Sequence, residues 1–207
     1  MSYITIILLL VLLYGSYKIV LYLLNKSKLS QPEILELNKK IKIDPTNSNL
    51  YYRRGMSYFN ISQTKISILT YAILDFDKSI SLNPTHELSH LTRGICFIKL
   101  AKYSKAKNDL HKVIEINPNS FSAYEFLGII SSQLKDYFEA ERCFIKASSL
   151  NPNNPAVFSN KAILYFNAGK YLECIRDAKI SLMLNPKDVQ LKSLITRAEF
   201  ELNKQHF

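Results

Sequence analysis

The chain has 207 residues, 47% of them hydrophobic and only five of them glycine, with 27 basic against 17 acidic side chains for a net charge of +10. That supply of apolar side chains excludes a wholly disordered chain, and the length admits one ordinary domain or an elongated array with an anchor. Half of the basic excess lies between Lys18 and Arg54 and the rest alternates in sign as solvated helix faces do, so no nucleic-acid partner is expected.

The first predicted element is a membrane span. Tyr3 to Leu24 reads YITIILLLVLLYGSYKIVLYLL, 22 residues with the single charge of Lys18. As a helix it covers roughly 33 Å, enough for a bilayer core. Lys18 can snorkel to the headgroups, and Tyr3, Tyr17 and Tyr22 suit the interfaces. A cleaved signal peptide would carry its positive charge before the apolar run, whereas Lys26 and Lys28 follow it. Residues 1–28 are therefore expected to form a retained single-pass anchor with a basic flank. The flank places the bulk of the chain on the cytoplasmic or stromal side, and the abundance of Lys, Asn, Ile and Ser with no Trp points to a plastid or bacterial membrane. In that topology the Asn-x-Ser sequons at Asn25 and Asn60 go unused.

Residues 29–46 read as a linker and a half-repeat helix, Ser30 to Ile43, stopped at Asp44-Pro45. From there the chain repeats itself. Pro84, Pro118, Pro152 and Pro186 follow at intervals of 34 residues, each behind an asparagine. Gly94, Gly128 and Ala162 keep the same period, as do Tyr103, Tyr137 and Tyr171, with Ala106, Ala140 and Cys174 three residues behind them. Within a period the apolar spacing is that of two amphipathic helices, for example Tyr124, Leu127, Ile130 and Leu134, then Tyr137, Ala140, Phe144 and Ala147. Four units are expected over 47–186, at about 48–86, 87–120, 121–154 and 155–188. The first carries five extra residues between Gly55 and Ala72, read as a longer loop or an extended second helix or, through Ile66, Ile68 and Leu69, as a contact element. Residues 187–207 are expected to close the array with a helix kept wet by Lys192, Arg197 and Glu199.

A 34-residue helix-turn-helix marked by Gly, Tyr, Ala and a terminal Pro resembles the tetratricopeptide repeat family. The resemblance implies an all-α fold: an α-solenoid of helix-turn-helix repeats, here behind an N-terminal transmembrane helix. It also implies a concave groove lined by the first helix of each unit, receiving a peptide or helix of a partner protein. Carried onto this sequence, the groove residues are Tyr52, Met56 and Phe59; Leu88, Leu91, Ile95 and Lys99; Glu125, Ile129 and Ser132; and Ser159, Ile163 and Phe166. About half of these are expected to pack between units instead. The chaperone-tail binders of the family hold a C-terminal carboxylate with cations. The matching places here are Tyr52, Met56, Thr92, Ser122 and Phe126, or one unit later Leu91, Ile95, Phe126, Ala156 and Asn160. Neither set holds a cation, so the tails of the major heat-shock chaperones are not expected as partners. In layout the chain is similar to plastid and cyanobacterial anchored repeat proteins that assist photosystem I assembly. It is also similar to mitochondrial outer-membrane import receptors, which take presequences.

No phosphate loop, nucleophile elbow or metalloprotease motif is present, so neither catalysis nor a cofactor is expected. His86 and His90 stand four apart but lack a third ligand, and read as exposed or partly buried helix residues rather than a metal site. Asp75 and Asp77 read as helix surface. Cys96, Cys143 and Cys174 fit buried hydrophobes in apolar patterns, with neither disulfide nor zinc spacing.

Overall fold

A computed structural model describes residues 31–62 and 66–204; the expected anchor at 1–28 lies outside them. Among the described residues the chain is all-α, and no helix is long and apolar enough to cross a membrane. In order the elements are α1 Pro32–Ile43, α2 Ser48–Ile61, a 3-10 turn Ile66–Ile68, α3 Leu69–Leu82, α4 Glu87–Lys99, α5 Tyr103–Ile116, α6 Phe121–Gln133, α7 Tyr137–Leu150, α8 Pro155–Asn167, α9 Tyr171–Leu184 and α10 Val189–Lys204. They form two compact units, one ending at Ser89 and the other starting at His90, within the first turn of α4.

The hydrogen bonds explain the Asn-Pro phrase. The amides of Asn83, Asn117, Asn151 and Asn185 close the last turn of α3, α5, α7 and α9 on the carbonyl four residues back, at 2.8–3.0 Å. The proline that follows has no N–H and cannot extend the ladder. Each asparagine carbonyl then accepts from the amide three residues on, at His86, Ser120, Asn154 and Asp188, so the chain turns by the same step each time.

A second periodic device reverses the chain inside each pair. Ala101, Lys135 and Gly169, 34 residues apart, all take the left-handed conformation, with φ of 54°, 62° and 73°. The next amide in each case reaches back five residues, as from Lys102 to Phe97, Asp136 to Ser131 and Lys170 to Tyr165, each within 2.9 Å. This is the bonding of a helix closed by a left-handed residue, which only glycine adopts without a side-chain clash. Lys135→Gly therefore raises the urea midpoint, with a gain of about 1 kcal/mol. An unchanged or lower midpoint would contradict the strain assigned to Lys135.

In the first unit, α1 packs on α2 through the buried Ile34 and Leu37. Ile34, Ile61 and Ile68 form one cluster, with Tyr58 against it. The irregular stretch of the first repeat thus delivers Ile68 and Leu69 into the core and, of the three apolar residues, leaves Ile66 exposed. A lone helix has no pair partner to cover it, and Ile68 fills the gap between α1 and α2. Of the apolar residues expected as an outward contact, two are therefore packing residues.

In the second unit, successive clusters bridge one helix pair to the next. Leu110 and Val113 of α5 meet Leu127 and Ile130 of α6. Phe144 and Ala147 of α7 meet Val157 and Leu164 of α8. Cys174 and Ala178 of α9 meet Leu191 and Ala198 of α10. Each helix covers the apolar side of the one before it, which is how a stack of repeats builds a continuous core.

Candidate functional site

The first helices carry the expected groove residues. In the first unit, Tyr52 has its ring 6.0 Å from Phe76 and 5.1 Å from His86, so it is held by packing on one side. Met56 and Phe59 are half-buried and Leu88 is exposed. In the second unit Leu91 packs against the Leu110–Leu127 cluster, while Ile95 is half-buried and Lys99 is exposed. Ile129 packs on the Phe144 cluster, and Glu125 and Ser132 are half-buried. Burial pushes the Glu125 carboxyl above its ordinary range, with no cation beside it to pull it back.

Ser159, Ile163 and Phe166 occupy the same three positions on α8, one period later. Here the surface opens into linked clefts. One is lined by Ser132, Gln133, Lys135, Tyr137, Ile163 and Asn167. The next, about 190 Å³, is lined by Ser159, Ile163, Gln190, Ser193, Leu194 and Arg197. A third lies against Phe166, Thr196, Arg197, Phe200 and Glu201. Ile163, 45% exposed, belongs to the first two clefts and Arg197 to the last two, so the three form one path across α6, α8 and α10. The middle cleft is smaller than the ~300–1,000 Å³ of small-molecule sites and suits single side chains.

The α10 contribution was missed from sequence. Ser193, Arg197 and Phe200 stand one period beyond Ser159, Ile163 and Phe166, so α10 is the first helix of a further repeat as well as a cap. The Arg197 guanidinium lies 4.7 Å from the centre of the Phe166 ring. Reading the helix only as a wet end hid that position; the 34-residue step from Ile163 would have found it.

Several charged residues expected at the surface are buried instead. Asp75 is 5% exposed and takes two hydrogen bonds from Arg54, from Nε at 2.8 Å and Nη2 at 2.6 Å. Asp109 is held by Arg93 in the same fork, at 2.9 and 2.6 Å, and by His90 Nδ1 at 3.1 Å. Lys161 Nζ, also buried, stands 2.9 Å from Asp177 Oδ2. A buried carboxylate survives only with such a partner, and helix pairing supplies one. His90 is thus a buried member of an ion-pair cluster, and His86 receives the Ser89 amide at 3.2 Å as a cap for α4. Among the described residues no cluster of His, Cys, Asp or Glu could hold a metal. The three thiols are buried, and burial pushes Cys96 and Cys143 up to about 12 and Cys174 to about 11, far from a nucleophilic thiolate.

Helix pairs on a 34-residue period, stacked through shared cores, agree with one family model, that of the tetratricopeptide repeat protein 21 C-terminal ARM domain, which matches residues 67–198. The chain belongs to this family. Solved tetratricopeptide-type structures share the fold. The crystal structure of MamA is 21% identical, over 74% of this chain and 87% of that one, with a TM-score of 0.65. YrrB, described as a TPR protein with an unusual peptide-binding site, is 16% identical over 78% and 81%, with a TM-score of 0.64. A tetratricopeptide repeat protein from Parabacteroides merdae is 23% identical over 93% and 73%, with a TM-score of 0.71. No curated protein matches the sequence. A tetratricopeptide-type repeat of this kind is a scaffold for protein–protein interaction.

Proposed function

We propose that this tetratricopeptide-type protein is a membrane-anchored scaffold that holds a peptide segment of a partner in the first-helix groove, as an assembly factor or adaptor for a membrane protein complex such as photosystem I. The observation that carries the groove reading is the cleft path from Ser132 through Ile163 to Arg197, lined by residues that the core leaves accessible. The apolar run Tyr3 to Leu24 supports the tether. The printed description of YrrB, a fold relative with a peptide-binding site, is consistent with this use of the fold. The reading as an import receptor for presequences fits the groove less well. Such segments are basic, and Arg197 would meet them with like charge.

Affinity capture with crosslinking from detergent-extracted membranes tests the reading. Subunits of one membrane complex are expected in stoichiometric yield. Ile163→Asp puts a charge in the middle of the path and is expected to lower that capture at least tenfold, by roughly the loss of one anchoring contact. The stack should remain folded, because Ile163 is largely outside the core. Full recovery of the protein in the soluble fraction removes the tether. Undiminished capture by Ile163→Asp removes the groove.

A further inference from the structure

We infer that the groove of the second unit takes an extended segment bearing a basic and an acidic side chain about six residues apart, the basic one against Glu125 and the acidic one against Arg197. This rests on the groove reading above and specifies its ligand.

Glu125 on α6 stands one period before Ser159 of the middle cleft, and Arg197 lines the middle and last clefts; each holds a charge whose counter-charge is missing among the described residues. Glu125 is half-buried on α6 with neither hydrogen bond nor ion pair, so its carboxylate has been stripped of part of its water without compensation. Arg197 is exposed on α10, stacked on Phe166, and no described carboxylate lies within ion-pairing distance. The two acids that line the same clefts are already engaged: Asp188 accepts from the Leu191 amide at 3.0 Å, and Glu201 pairs with Lys204 at 3.2 Å. Stacking on an aromatic face holds a guanidinium in place and leaves the edge of its fork free for a carboxylate.

The spacing follows from the helices. α6 contacts α8 and α8 contacts α10, so the two charges are two helix steps apart. At about 10 Å per step, and about 3.3 Å per residue of extended chain, the separation corresponds to roughly six residues. Between them Ile129 and Ile163 present apolar surface, so apolar side chains of the ligand belong there. Among the residues lining its two clefts Arg197 is the one cation, which suits a side-chain carboxylate better than a chain terminus, which needs more donors.

The test is selection of a displayed random decapeptide library, with blocked C-termini, on the full-length protein in detergent micelles. Selected sequences are expected to carry Lys or Arg and Asp or Glu about six positions apart, with apolar residues between. A synthetic consensus peptide, acetylated and amidated, then loses about tenfold in affinity with either Arg197→Glu or Glu125→Lys. Each variant also changes its preference: Arg197→Glu for peptides with two basic residues, Glu125→Lys for peptides with two acidic ones. Selected apolar peptides that lack the charge pattern but still need Ile163 overturn this inference and leave the groove reading standing. A requirement for a free C-terminus overturns the assignment of Arg197 to a side-chain carboxylate. If no selected peptide depends on Ile163, both readings fall.

Discussion

Asp109→Cys is expected to cost about 3 kcal/mol of stability, whereas Arg93→Leu combined with Asp109→Cys costs less than about half of that. The reason is a substitution this chain has already made in another unit. Arg54, Arg93, Leu127 and Lys161 occupy one position of the first helix, and Asp75, Asp109, Cys143 and Asp177 the facing position of the second. Three units carry an ion pair there. The third carries Leu127 and Cys143 in one apolar cluster. Breaking a buried pair strands the surviving charge, but removing both partners leaves an apolar contact that the fold tolerates. Urea unfolding of the two single variants and the double variant closes the cycle. Additive costs would mean that Arg93 and Asp109 are not coupled.

The same pairs respond to pH in opposite ways. Burial pushes the Asp109 carboxyl up, but Arg93 and then His90 outweigh it, and the folded value lies below the ordinary carboxylate range. A depressed folded value contributes stability that is complete above the unfolded pKa of about 3.9 and is lost as pH falls through the folded one. Asp75 has Arg54 and no histidine, and burial wins, leaving its folded value raised. Its charge therefore costs the fold at neutral pH, and that cost is relieved as pH falls through the raised value. The stability gap between the natural chain and Asp109→Asn should close in acid. The corresponding gap for Asp75→Asn should not narrow first in that direction.

How much of this was readable in advance divides by the kind of signal. The helix pairs were visible because Pro84, Pro118, Pro152 and Pro186 each follow an asparagine whose backbone makes the same turn. A repeated backbone event writes a repeated word. The buried charges were not visible by inspecting one stretch. Asp75 beside Asp77 in LDFDKS looks like surface, and only the column Asp75, Asp109, Cys143, Asp177, set beside its partner column, shows that one of the two faces inward. The groove was half readable for a related reason. Leu91 and Ile163 belong to equally groove-like positions, yet Leu91 lies on the Leu110–Leu127 cluster while Ile163 is exposed, because the neighbouring side chains decide which apolar residue is covered. Periodicity gives the face of a helix and not what lies against it.

Gly128→Ala and Gly94→Ala, made at the same position of adjacent units, are expected to change stability in opposite directions. A Cβ at Gly94 would sit 3.5 Å from Leu110, an ordinary contact. There the substitution keeps only the helix-propensity gain of up to about 1 kcal/mol. A Cβ at Gly128 would stand 2.6 Å from Cε1 of Phe144, whose ring is 1% exposed and fixed among Ala140, Ala147, Val157 and Leu164. Overpacking of that sort costs about 1–3 kcal/mol and outweighs the propensity gain. The facing residues already follow this rule along the chain: Gly55 faces Phe76, Gly94 faces Leu110 and Gly128 faces Phe144, but where Ala162 brings its own Cβ the facing residue is Ala178. Size on one helix is matched by size on the other. In a Phe144→Leu background, which copies the second unit, Gly128→Ala should accordingly turn from destabilising to neutral or better. Urea midpoints of the four variants decide it: if Gly128→Ala melts with Gly94→Ala in the natural background, the ring yields, and the glycine is kept there for some reason other than the phenylalanine.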